Sequence, residues 1–322
     1  MTILVTGGLG YIGSHTVVEL LQNNFEVVII DDLSNTEKFI LKNIEEITGK
    51  KPIFYPFDLK RKELLKQVFD AHKIEGCIHF AAYKAVGESQ EKPIDYYENN
   101  LFSLINLLQE MKERNISNFI FSSSCTVYGQ ADTMPIDENT PLKLPESSYG
   151  KTKQMGEEIL KDFATAHQKK VTLLRYFNPI GAHPSAKLGE LPIGIPNNLV
   201  PYVMQTAAGV REKLSVWGND YETEDGTAIR DYIYVVDLAK AHVKALQKLI
   251  SENSETLVDI YNLGTGKGSS VLEVVHAFEK ANDVAVPYQI CERRAGDITI
   301  AYANADKAEK ELGWKSETSL EE

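Results

Sequence analysis

The chain has 322 residues, of which 43% are apolar and 25% are charged, a balance typical of globular proteins. Its 34 basic and 46 acidic residues give a net charge of −12 at pH 7. That charge argues against a nucleic-acid or anionic-membrane surface, because no basic stripe is present to neutralise many phosphates. No segment approaches the ~20 apolar residues that cross a bilayer, and the first residues lack the features of a signal peptide.

Cysteine and histidine usage argues against two further kinds of site. The three cysteines, Cys77, Cys125 and Cys291, are an odd and widely spaced set, so we expect a reducing cytoplasm and no disulfide framework. The seven histidines lack the spacing of metal ligands, and we predict no metal site. Cys125 adjoins Ser124, but no histidine is near it in sequence, which favours an inert thiol over a nucleophile.

In the first half of the chain, short apolar runs alternate with helical patterns. Buried strands that alternate with helices form right-handed βαβ units, which build a parallel sheet covered on both faces. The pattern predicts an α/β fold with a Rossmann-type, doubly wound parallel sheet. The predicted strands are Ile3–Thr6, Glu26–Ile30, Ile53–Phe57, Cys77–Ala81, Asn118–Ser123 and Val171–Arg175, and the clearest helices are Ser14–Gln22, Asp95–Arg114 and Tyr149–His167.

After about residue 176 the chain becomes rich in proline and glycine, and its strands become less regular. This change predicts a second, smaller domain that is interleaved with the first. A sheet element over Asp231–Val236, a helix over Asp237–Leu249 and a strand over Asp259–Leu263 indicate a return to the first domain. We therefore assign 1–176 and 231–263 to the first domain, and 177–230 and 264–322 to the second.

A glycine-rich turn joins the first predicted strand to the first helix. Residues Gly8 to Gly13 read G-x-G-x-x-G, and Gly7 precedes them. Glycines there permit a tight turn and close approach to a pyrophosphate, and the helix N-terminus faces its negative charge. Asp31, at the end of the second strand, matches the acid that grips a ribose 2′-hydroxyl. With Asp32 beside it, Asp31 would repel the extra phosphate of NADP, which favours NAD; the alternative is that Asp31 only caps a loop.

A tyrosine and a lysine stand four residues apart at the start of a predicted helix. This spacing places the side chains of Tyr149 and Lys153 on one face. The pair follows a predicted strand that ends in Ser122–Ser124, and ligands bind at the carboxyl ends of strands in such sheets. A solvated helix face is the alternative interpretation of the pair taken alone.

Together, the glycine turn, Asp31, the serine run and this pair resemble the extended short-chain dehydrogenase/reductase family. The resemblance implies that Tyr149 is a general base and that Ser124 hydrogen-bonds the reacting oxygen or relays its proton. Near neutrality the phenol needs a pKa drop of roughly three units, about 4 kcal/mol. The ammonium of Lys153 at ~6 Å supplies roughly 2.8 kcal/mol at an effective dielectric near 20, and the positive ring of oxidised NAD supplies much of the rest.

The family contains epimerases, dehydratases, decarboxylases and dehydrogenases, so the fold does not choose the reaction. Its dehydratases carry an Asp-Glu pair, and its decarboxylases usually a glutamate, where this chain has Cys125 and Thr126. The missing acid argues against both. Long segments resemble the UDP-sugar epimerases of the family, which implies NAD-dependent interconversion of UDP-galactose and UDP-glucose by transient oxidation and re-reduction at C4. These segments are 84–89, 122–129, 176–179, 181–184, 195–199, 218–221 and 230–232.

The resemblance also implies the residues of the two binding sites. NAD would contact Gly7, Gly10, Tyr11, Ile12, Gly13, Asp31, Asn35, Asp58, Leu59, Phe80, Lys84, Asn99, Ser124, Tyr149, Lys153 and Phe177. The UDP-sugar would contact Lys84, Ser124, Tyr149, Asn178, Asn198, Leu199, Arg230, Arg294 and Asp297.

Four side chains of the second domain suggest how the UDP-sugar is held. Arg230 and Arg294 offer planar forks for a diphosphate, although surface solubility is the alternative for either one. Trp217 could pack against the uracil, or it could be a buried core residue. Ala301 stands where strict UDP-glucose enzymes of the family carry a bulky tyrosine, which predicts turnover of UDP-N-acetylhexosamines as well, unless Tyr302 refills the space.

Two expectations concern assembly and the class of protein. The helices Asp95–Arg114 and Tyr149–His167 are expected to pair across a two-fold axis as a homodimer, as the resemblance suggests. A non-catalytic NAD sensor is the alternative from another class, but such a protein need not keep Ser124, Tyr149 and Lys153 together. A hydride that leaves and returns in one visit predicts that NAD stays bound between turnovers.

Overall fold

The computed structural model describes residues 1–251, 256–294 and 297–322. Strands and helices alternate along these residues up to Tyr176, and shorter strands predominate afterwards. The strands are β1 (Thr2–Thr6), β2 (Glu26–Ile30), β3 (Ile53–Tyr55), β4 (Ile74–His79), β5 (Asn118–Ser122), β6 (Lys170–Tyr176), β7 (Asn178–Ile180), β8 (Leu214–Trp217), β9 (Ile229–Arg230), β10 (Tyr232–Tyr234), β11 (Val258–Leu263), β12 (Ser269–Ser270), β13 (Tyr288–Cys291) and β14 (Ile300–Ala301). The helices are α1 (Tyr11–Gln22), α2 (Phe39–Thr48), α3 (Lys62–Ala71), α4 (Val86–Glu91), α5 (Pro93–Glu113), α6 (Ser148–His167), α7 (Leu199–Ala207), α8 (Val235–Ile250), α9 (Val271–Asn282) and α10 (Asp306–Leu312).

Seven of these strands form one sheet in the order β11-β6-β5-β4-β1-β2-β3. Every neighbouring pair is parallel. The strand order reverses direction at β1, which is the topological switch point where such sheets bind ligands. The predicted α/β class and the Rossmann-type parallel sheet are confirmed.

Alternate side chains of the central strand bury two separate apolar layers. Ile3 and Val5 pack on one face with α1, α2 and α8, whereas Leu4 packs on the other face with α3, α5 and α6. This alternation is what a strand covered on both faces requires, and it explains the continuous apolar run in the sequence. The two layers fix the carboxyl ends of the strands, where the site lies.

The element predicted over Asp231–Val236 differs from the expectation. Its strand, β10, lies outside the seven-stranded sheet and pairs in parallel with β7. The buried carboxylate of Asp231 fixes the residue directly before β10, because it accepts hydrogen bonds from the backbone N–H groups of Thr265, Gly266 and Ala303 at 2.8, 3.1 and 3.1 Å. The chain then does return to the first layer, since α8 packs on the sheet and β11 pairs with β6.

The remaining short strands belong to the proline- and glycine-rich part of the chain. Strands β8 and β13 form one parallel pair, and β9 lies between β12 and β14 in a three-stranded sheet. A separate apolar cluster of Val203, Leu214, Val216, Val275 and Val286 supports them. In the described ranges, the structure has no helix that is both long and apolar enough to span a bilayer.

Candidate active site

A cleft of about 370 Å³ crosses the carboxyl ends of the central strands. Its walls are the glycine turn after β1, the acidic segment after β2 and the segments that follow β4, β5 and β6. Every residue predicted above to contact NAD lines this cleft, from Gly7 to Phe177. The sheet therefore brings together residues that are far apart in sequence, because parallel strands end at the same edge.

The glycine turn has no room for side chains. Gly7 has a φ of +68°, and a Cβ there would lie 2.7 Å from the backbone nitrogen of Ala81. A Cβ on Gly13 would lie 2.1 Å from the carbonyl oxygen of Gly7. Helix α1 begins directly after Gly10 and carries no acidic residue in its first turn. The turn thus offers close backbone approach and a helix N-terminus, which fits a dinucleotide pyrophosphate.

Asp31 is buried at the end of β2 and joins the turn to the cleft wall. One carboxylate oxygen accepts the N–H of Leu9 at 3.1 Å, and the other accepts the N–H of Leu33 at 3.0 Å. Burial raises the pKa of Asp31 above its ordinary value, and these backbone bonds oppose the rise. Asp31 both supports the loop and lines the cleft, so the two interpretations offered above are compatible.

The catalytic candidates meet at the other end of the cleft. Tyr149 and Lys153 lie on the first turns of α6, which Ser147 caps by accepting the N–H of Gly150 at 3.1 Å. Lys153 Nζ donates to the Ser122 carbonyl at 2.6 Å and lies 5.8 Å from the centroid of the Tyr149 ring. Ser124 follows β5 and faces the same cleft.

Burial favours the neutral forms of both catalytic side chains. It raises the pKa of Tyr149 well above the ordinary value, and nearby Tyr176 adds to the rise. It lowers the pKa of Lys153 to about 7, and the charge of Glu157 opposes that fall. Ionisation of this phenol therefore requires a compensating positive charge nearby.

The predicted UDP-sugar residues fall into two groups. Lys84, Asn178 and Asn198 line the cleft together with the catalytic candidates, and Leu199 begins α7 directly after Asn198. The other group lies beside the cleft rather than among its lining residues. It consists of Trp217, Arg230, Arg294, Asp297 and Ala301.

An arginine cluster forms the core of that second group. Asp297 lies between the two predicted forks, 3.1 Å from Arg294 Nε and 3.7 Å from Arg230 Nη2. The guanidinium of Arg294 lies 5.9 Å from the Trp217 ring. Trp217 is 41% exposed, so the alternative of a buried core tryptophan is wrong. The cluster presents two cations and an exposed aromatic ring on one side of the molecule.

Ala301 is buried at 8% exposure on β14, paired in register with Arg230. It belongs to an apolar cluster with Val127 and Phe177, which connects it to the wall of the cleft. Its neighbour Tyr302 packs elsewhere, because a Cβ built on Gly268 would meet the Tyr302 ring at 3.4 Å. The described residues thus give no sign that Tyr302 refills the space beside Ala301.

Sequence reasoning missed Glu190, a charged residue of the cleft. Glu190 accepts from Lys84 Nζ at 3.1 Å and from Asn198 Nδ2 at 2.5 Å. It links two residues predicted to bind ligands, one from each domain. It lies in the irregular segment after Gly181, where no periodicity marks a functional position.

The described residues contain no group of three or more histidine, cysteine, aspartate or glutamate side chains placed to hold a metal ion. Cys125 lies in the cleft beside Ser124, and burial raises the pKa of its thiol to about 12. A thiol with that pKa is protonated near neutrality, so it does not act as a nucleophile there.

Comparison with known proteins places this site in a family. The profile of the GDP-mannose 4,6 dehydratase family matches residues 4–322. The UDP-glucose 4-epimerase of Bacillus subtilis is 54% identical over 323 residues, covering 100% of this chain and 94% of that protein. The UDP-glucose 4-epimerase of Haemophilus influenzae is 52% identical, with coverage of 100% and 94%.

A solved structure extends the likeness to three dimensions. The crystal structure of UDP-glucose 4-epimerase from Bifidobacterium longum in complex with NAD+ and UDP superposes with a TM-score of 0.96 at 49% identity. The match covers 100% of this chain and 95% of that chain. The likeness therefore extends over the whole chain.

Proposed function

This chain belongs to the UDP-glucose 4-epimerases, and we propose that it interconverts UDP-galactose and UDP-glucose with an NAD that stays bound between turnovers. The observation that carries the proposal is the cleft itself. It places the Tyr149, Lys153 and Ser124 side chains at one end and a glycine turn built for a pyrophosphate at the other. Identity near one half along the whole chain supports the same activity.

The residues present fit NAD. The glycine turn and the N-terminus of α1 suit its pyrophosphate, and Asp31 supplies a carboxylate for a ribose hydroxyl. The predicted contacts Asn35, Asp58, Leu59, Phe80 and Asn99 would enclose the rest, and all of them line the cleft. When bound, NAD supplies the acceptor and then the donor of a hydride, and its oxidised ring brings a positive charge.

The catalytic side chains would transfer the proton and hydrogen-bond the reacting oxygen. Tyr149 Oη takes the proton of the sugar 4-hydroxyl and later returns it, while Ser124 Oγ hydrogen-bonds that oxygen. The ammonium of Lys153, 5.8 Å from the Tyr149 ring, favours the ionised phenol. The 4-keto sugar must present both faces in turn, so the sugar is held loosely and the UDP tightly.

The second domain would hold the UDP. Arg230 and Arg294 are suited to a diphosphate, and exposed Trp217 beside Arg294 is suited to the uracil. We assign 177–230 and 264–322 to this role, and 1–176 with 231–263 to NAD. Asp297 already neutralises part of both arginines, so diphosphate binding exchanges one anionic partner for another.

The test is to incubate the purified protein with UDP-galactose in buffer without NAD. We expect UDP-glucose to form, and we expect heat-denatured protein to release about one NAD per chain. A protein that is active only when NAD is supplied in stoichiometric amounts contradicts permanent retention. A protein that stays inactive with and without NAD contradicts the epimerase assignment.

A second substrate class is supported by one residue. Ala301 has a small buried side chain in the same apolar cluster as Phe177, a residue of the cleft wall, which supports a sugar pocket that also accepts a 2-N-acetyl group. We expect UDP-N-acetylglucosamine to be epimerised, and Ala301→Tyr to abolish that activity while UDP-galactose is still converted. Equal loss on both substrates by Ala301→Tyr would contradict this assignment.

A homodimer is supported by the outer face of α5 and α6. An open groove there is lined by Leu101, Leu142, Met155 and Ile159 and by the polar Gln154, Glu158 and Asp162. Phe102, next to Leu101 in sequence, is 54% exposed. Exposed apolar side chains on paired helices suit a four-helix contact across a two-fold axis. Sedimentation of the wild-type protein should give the mass of two chains, and sedimentation of Met155→Glu should give the mass of one.

All three cysteines are free, which supports the reducing cytoplasm as the place of action.

A further inference from the structure

A buried ion pair lies directly behind the catalytic side chains. Glu157 is on α6, one helical turn beyond Lys153, and Arg175 is on β6. Arg175 Nε and Nη2 donate to the two Glu157 oxygens at 2.9 and 2.6 Å. The two side chains are 0% and 2% exposed. The pair is bidentate and fully removed from water.

This pair also grips the segment that carries Ser124. Ser123 Oγ donates to Glu157 Oε1 at 2.5 Å, which fixes the residue directly before the catalytic serine. Arg175 Nη1 donates to Tyr128 Oη at 3.0 Å, which fixes the end of the short turn after that serine. Both ends of the Ser124 segment are therefore tied to one ion pair.

Stability alone is a poor explanation for such a pair. Removing two charges from water costs several kcal/mol for each ion, and well-packed apolar side chains of similar size often serve the fold equally well or better. The surrounding layer is apolar, with Phe121, Leu160 and Leu173 nearby in the same cluster. A role at the catalytic centre explains why charged residues occupy this position.

We propose that Glu157 is a positioning residue of the epimerase reaction, which fixes Ser124 through Ser123 and maintains the positive charge of Lys153. The inference rests on the function proposed above and deepens it. It assigns the reaction a residue that touches neither sugar nor NAD.

The groups that face Lys153 make Glu157 the source of the negative field. On α6 these are Glu157 and Tyr149, and on β4 it is His79. On β6, Tyr176 acts on Tyr149, and Arg175 is the positive partner of Glu157. Burial holds the pKa of His79 at about 3 and raises the pKa of Tyr176 to about 12, so neither carries a negative charge near pH 7. The other two contacts of Lys153 Nζ are uncharged: the Ser122 carbonyl accepts its hydrogen bond, and the centroid of the Phe121 ring lies 4.9 Å away.

The electrostatic consequence follows from the sign of each effect. Burial lowers the pKa of Lys153 to about 7, and the Glu157 carboxylate opposes that fall. Without the carboxylate the pKa of Lys153 falls further, so the ammonium is lost at a lower pH. The pH–rate profile should record that loss on its alkaline side, because the protonated lysine favours the ionised Tyr149.

The experiment compares the pH–rate profile of the wild-type holoenzyme with that of Glu157→Gln. Glutamine keeps an acceptor for Ser123 and removes the charge. We expect the alkaline limb of kcat to move down by about one pH unit, so that activity above the limb falls about tenfold more than activity below it. Glu113→Gln, an exposed carboxylate on α5, is the matched control and should leave the limb in place.

A second variant guards against misfolding, because Glu157→Gln leaves the Arg175 charge buried without its partner. The double change Glu157→Gln with Arg175→Met removes both charges and should move the limb in the same direction but by less, because the positive charge that opposed Glu157 is removed as well. Arg175→Lys keeps the ion pair but loses its bidentate geometry; it should reduce Tm and kcat while the limb stays where it is. An equal shift in Arg175→Lys would overturn the electrostatic assignment.

A readout independent of activity completes the test. The Lys153 ammonium can be titrated by NMR of 13Cε-lysine, with its signal identified by its loss in Lys153→Met. We expect a lower titration midpoint in Glu157→Gln than in wild type. An unchanged midpoint together with an unchanged limb overturns the inference. A wild-type protein without epimerase activity instead overturns the proposed function, and the NMR titration still tests Glu157.

Discussion

The cofactor side of the cleft is built from strand ends, whereas the sugar side is built from long connections. On the cofactor side, residues such as Gly7 and Asp31 directly follow buried parallel strands, and their backbone bonds fix them. On the sugar side, Lys84 and Asn198 both bond to Glu190, and the two arginines share Asp297. We therefore expect the first side to be fixed before NAD arrives, and the charged contacts of the second side to be rearranged by the UDP-sugar.

We expect the two sides of the cleft to respond differently to substitution. A change on the fixed side should act through sterics and should reduce NAD retention. A change on the sugar side should act through charge and should alter KM. Residues at the junction of the two sides should alter kcat, and residues beneath the sheet should alter stability.

The largest effect is expected at the junction. Tyr149→Phe removes the hydroxyl that takes the sugar proton, so kcat should fall by roughly 10²–10⁴, the range for loss of a general base. Bound NAD should stay near the wild-type amount, because the glycine turn is unchanged. Turnover is measured with UDP-galactose, and NAD is measured after denaturation. A variant that loses NAD along with turnover would show that the junction belongs to the cofactor side.

The fixed side is tested with Gly13→Ala. The new Cβ would lie 2.1 Å from the Gly7 carbonyl oxygen, and an overpacked site typically costs about 1–3 kcal/mol, which corresponds to NAD binding up to about 100-fold weaker. Gly87→Ala is the control, because no heavy atom lies within 4 Å of its Cβ. Equal NAD content in both variants after gel filtration would contradict a sterically fixed turn.

The sugar side is tested with Arg230→Gln. Loss of a charge-assisted contact to a diphosphate costs about 1.5–3 kcal/mol, so KM for UDP-galactose should rise about 10- to 100-fold with little change in kcat. Arg293→Gln is the control, since that guanidinium bonds to Asp220 instead. Steady-state kinetics with UDP-galactose give KM and kcat for both variants. A fall in kcat at constant KM would remove Arg230 from the binding set.

The smallest effect is expected from three buried histidines, one on β4 and two on the helices α1 and α8. Burial lowers the pKa of His79 to about 3, and those of His15 and His242 to about 4. In the unfolded chain these three histidines bind protons near pH 6.5. The free energy of unfolding is therefore highest above pH 6.5, and it falls as the pH drops from 6.5 toward the pKa values of the histidines in the folded protein.

At pH 5.5 each of these histidines should reduce the unfolding free energy by about 1 kcal/mol relative to pH 7.5. Urea unfolding at the two pH values measures the sum. His15→Asn should weaken the pH dependence by about one third. A free energy that does not change between the two pH values would contradict neutral buried histidines.

Local sequence signals predicted the fold, the glycine turn and Asp31, whereas the other NAD contacts came from the family resemblance. The apolar runs predict β1 and β2 because both faces of a parallel sheet are buried, and the glycine spacing is forced by the tight turn before α1. The order of the predicted strands then places Ser124 and Tyr149 near the turn. The structure reports the same strands with bounds that differ by a few residues.

The sugar side could not be reached in the same way. Arg230, Arg294 and Asp297 lie on short strands and loops whose neighbours come from distant parts of the chain. No periodicity marks them, and the resemblance to a family supplied them. Glu190 and the Glu157–Arg175 pair were missed because an isolated charge in a sequence does not reveal its partner. The pairing of β10 with β7 was also missed, because the sequence of one strand does not reveal which other strand it pairs with.

The position of β11 has a consequence for how the chain folds during synthesis. This strand closes the sheet beside β6, but the whole segment from 177 to 257 is translated between them. The first six sheet strands can assemble as they leave the ribosome, since all of them have been translated by Tyr176. The apolar edge of β6 must then wait for its last partner, because such a distant pairing forms slowly. We expect nascent chains that end before Val258 to depend on chaperones more strongly than chains that extend past Leu263.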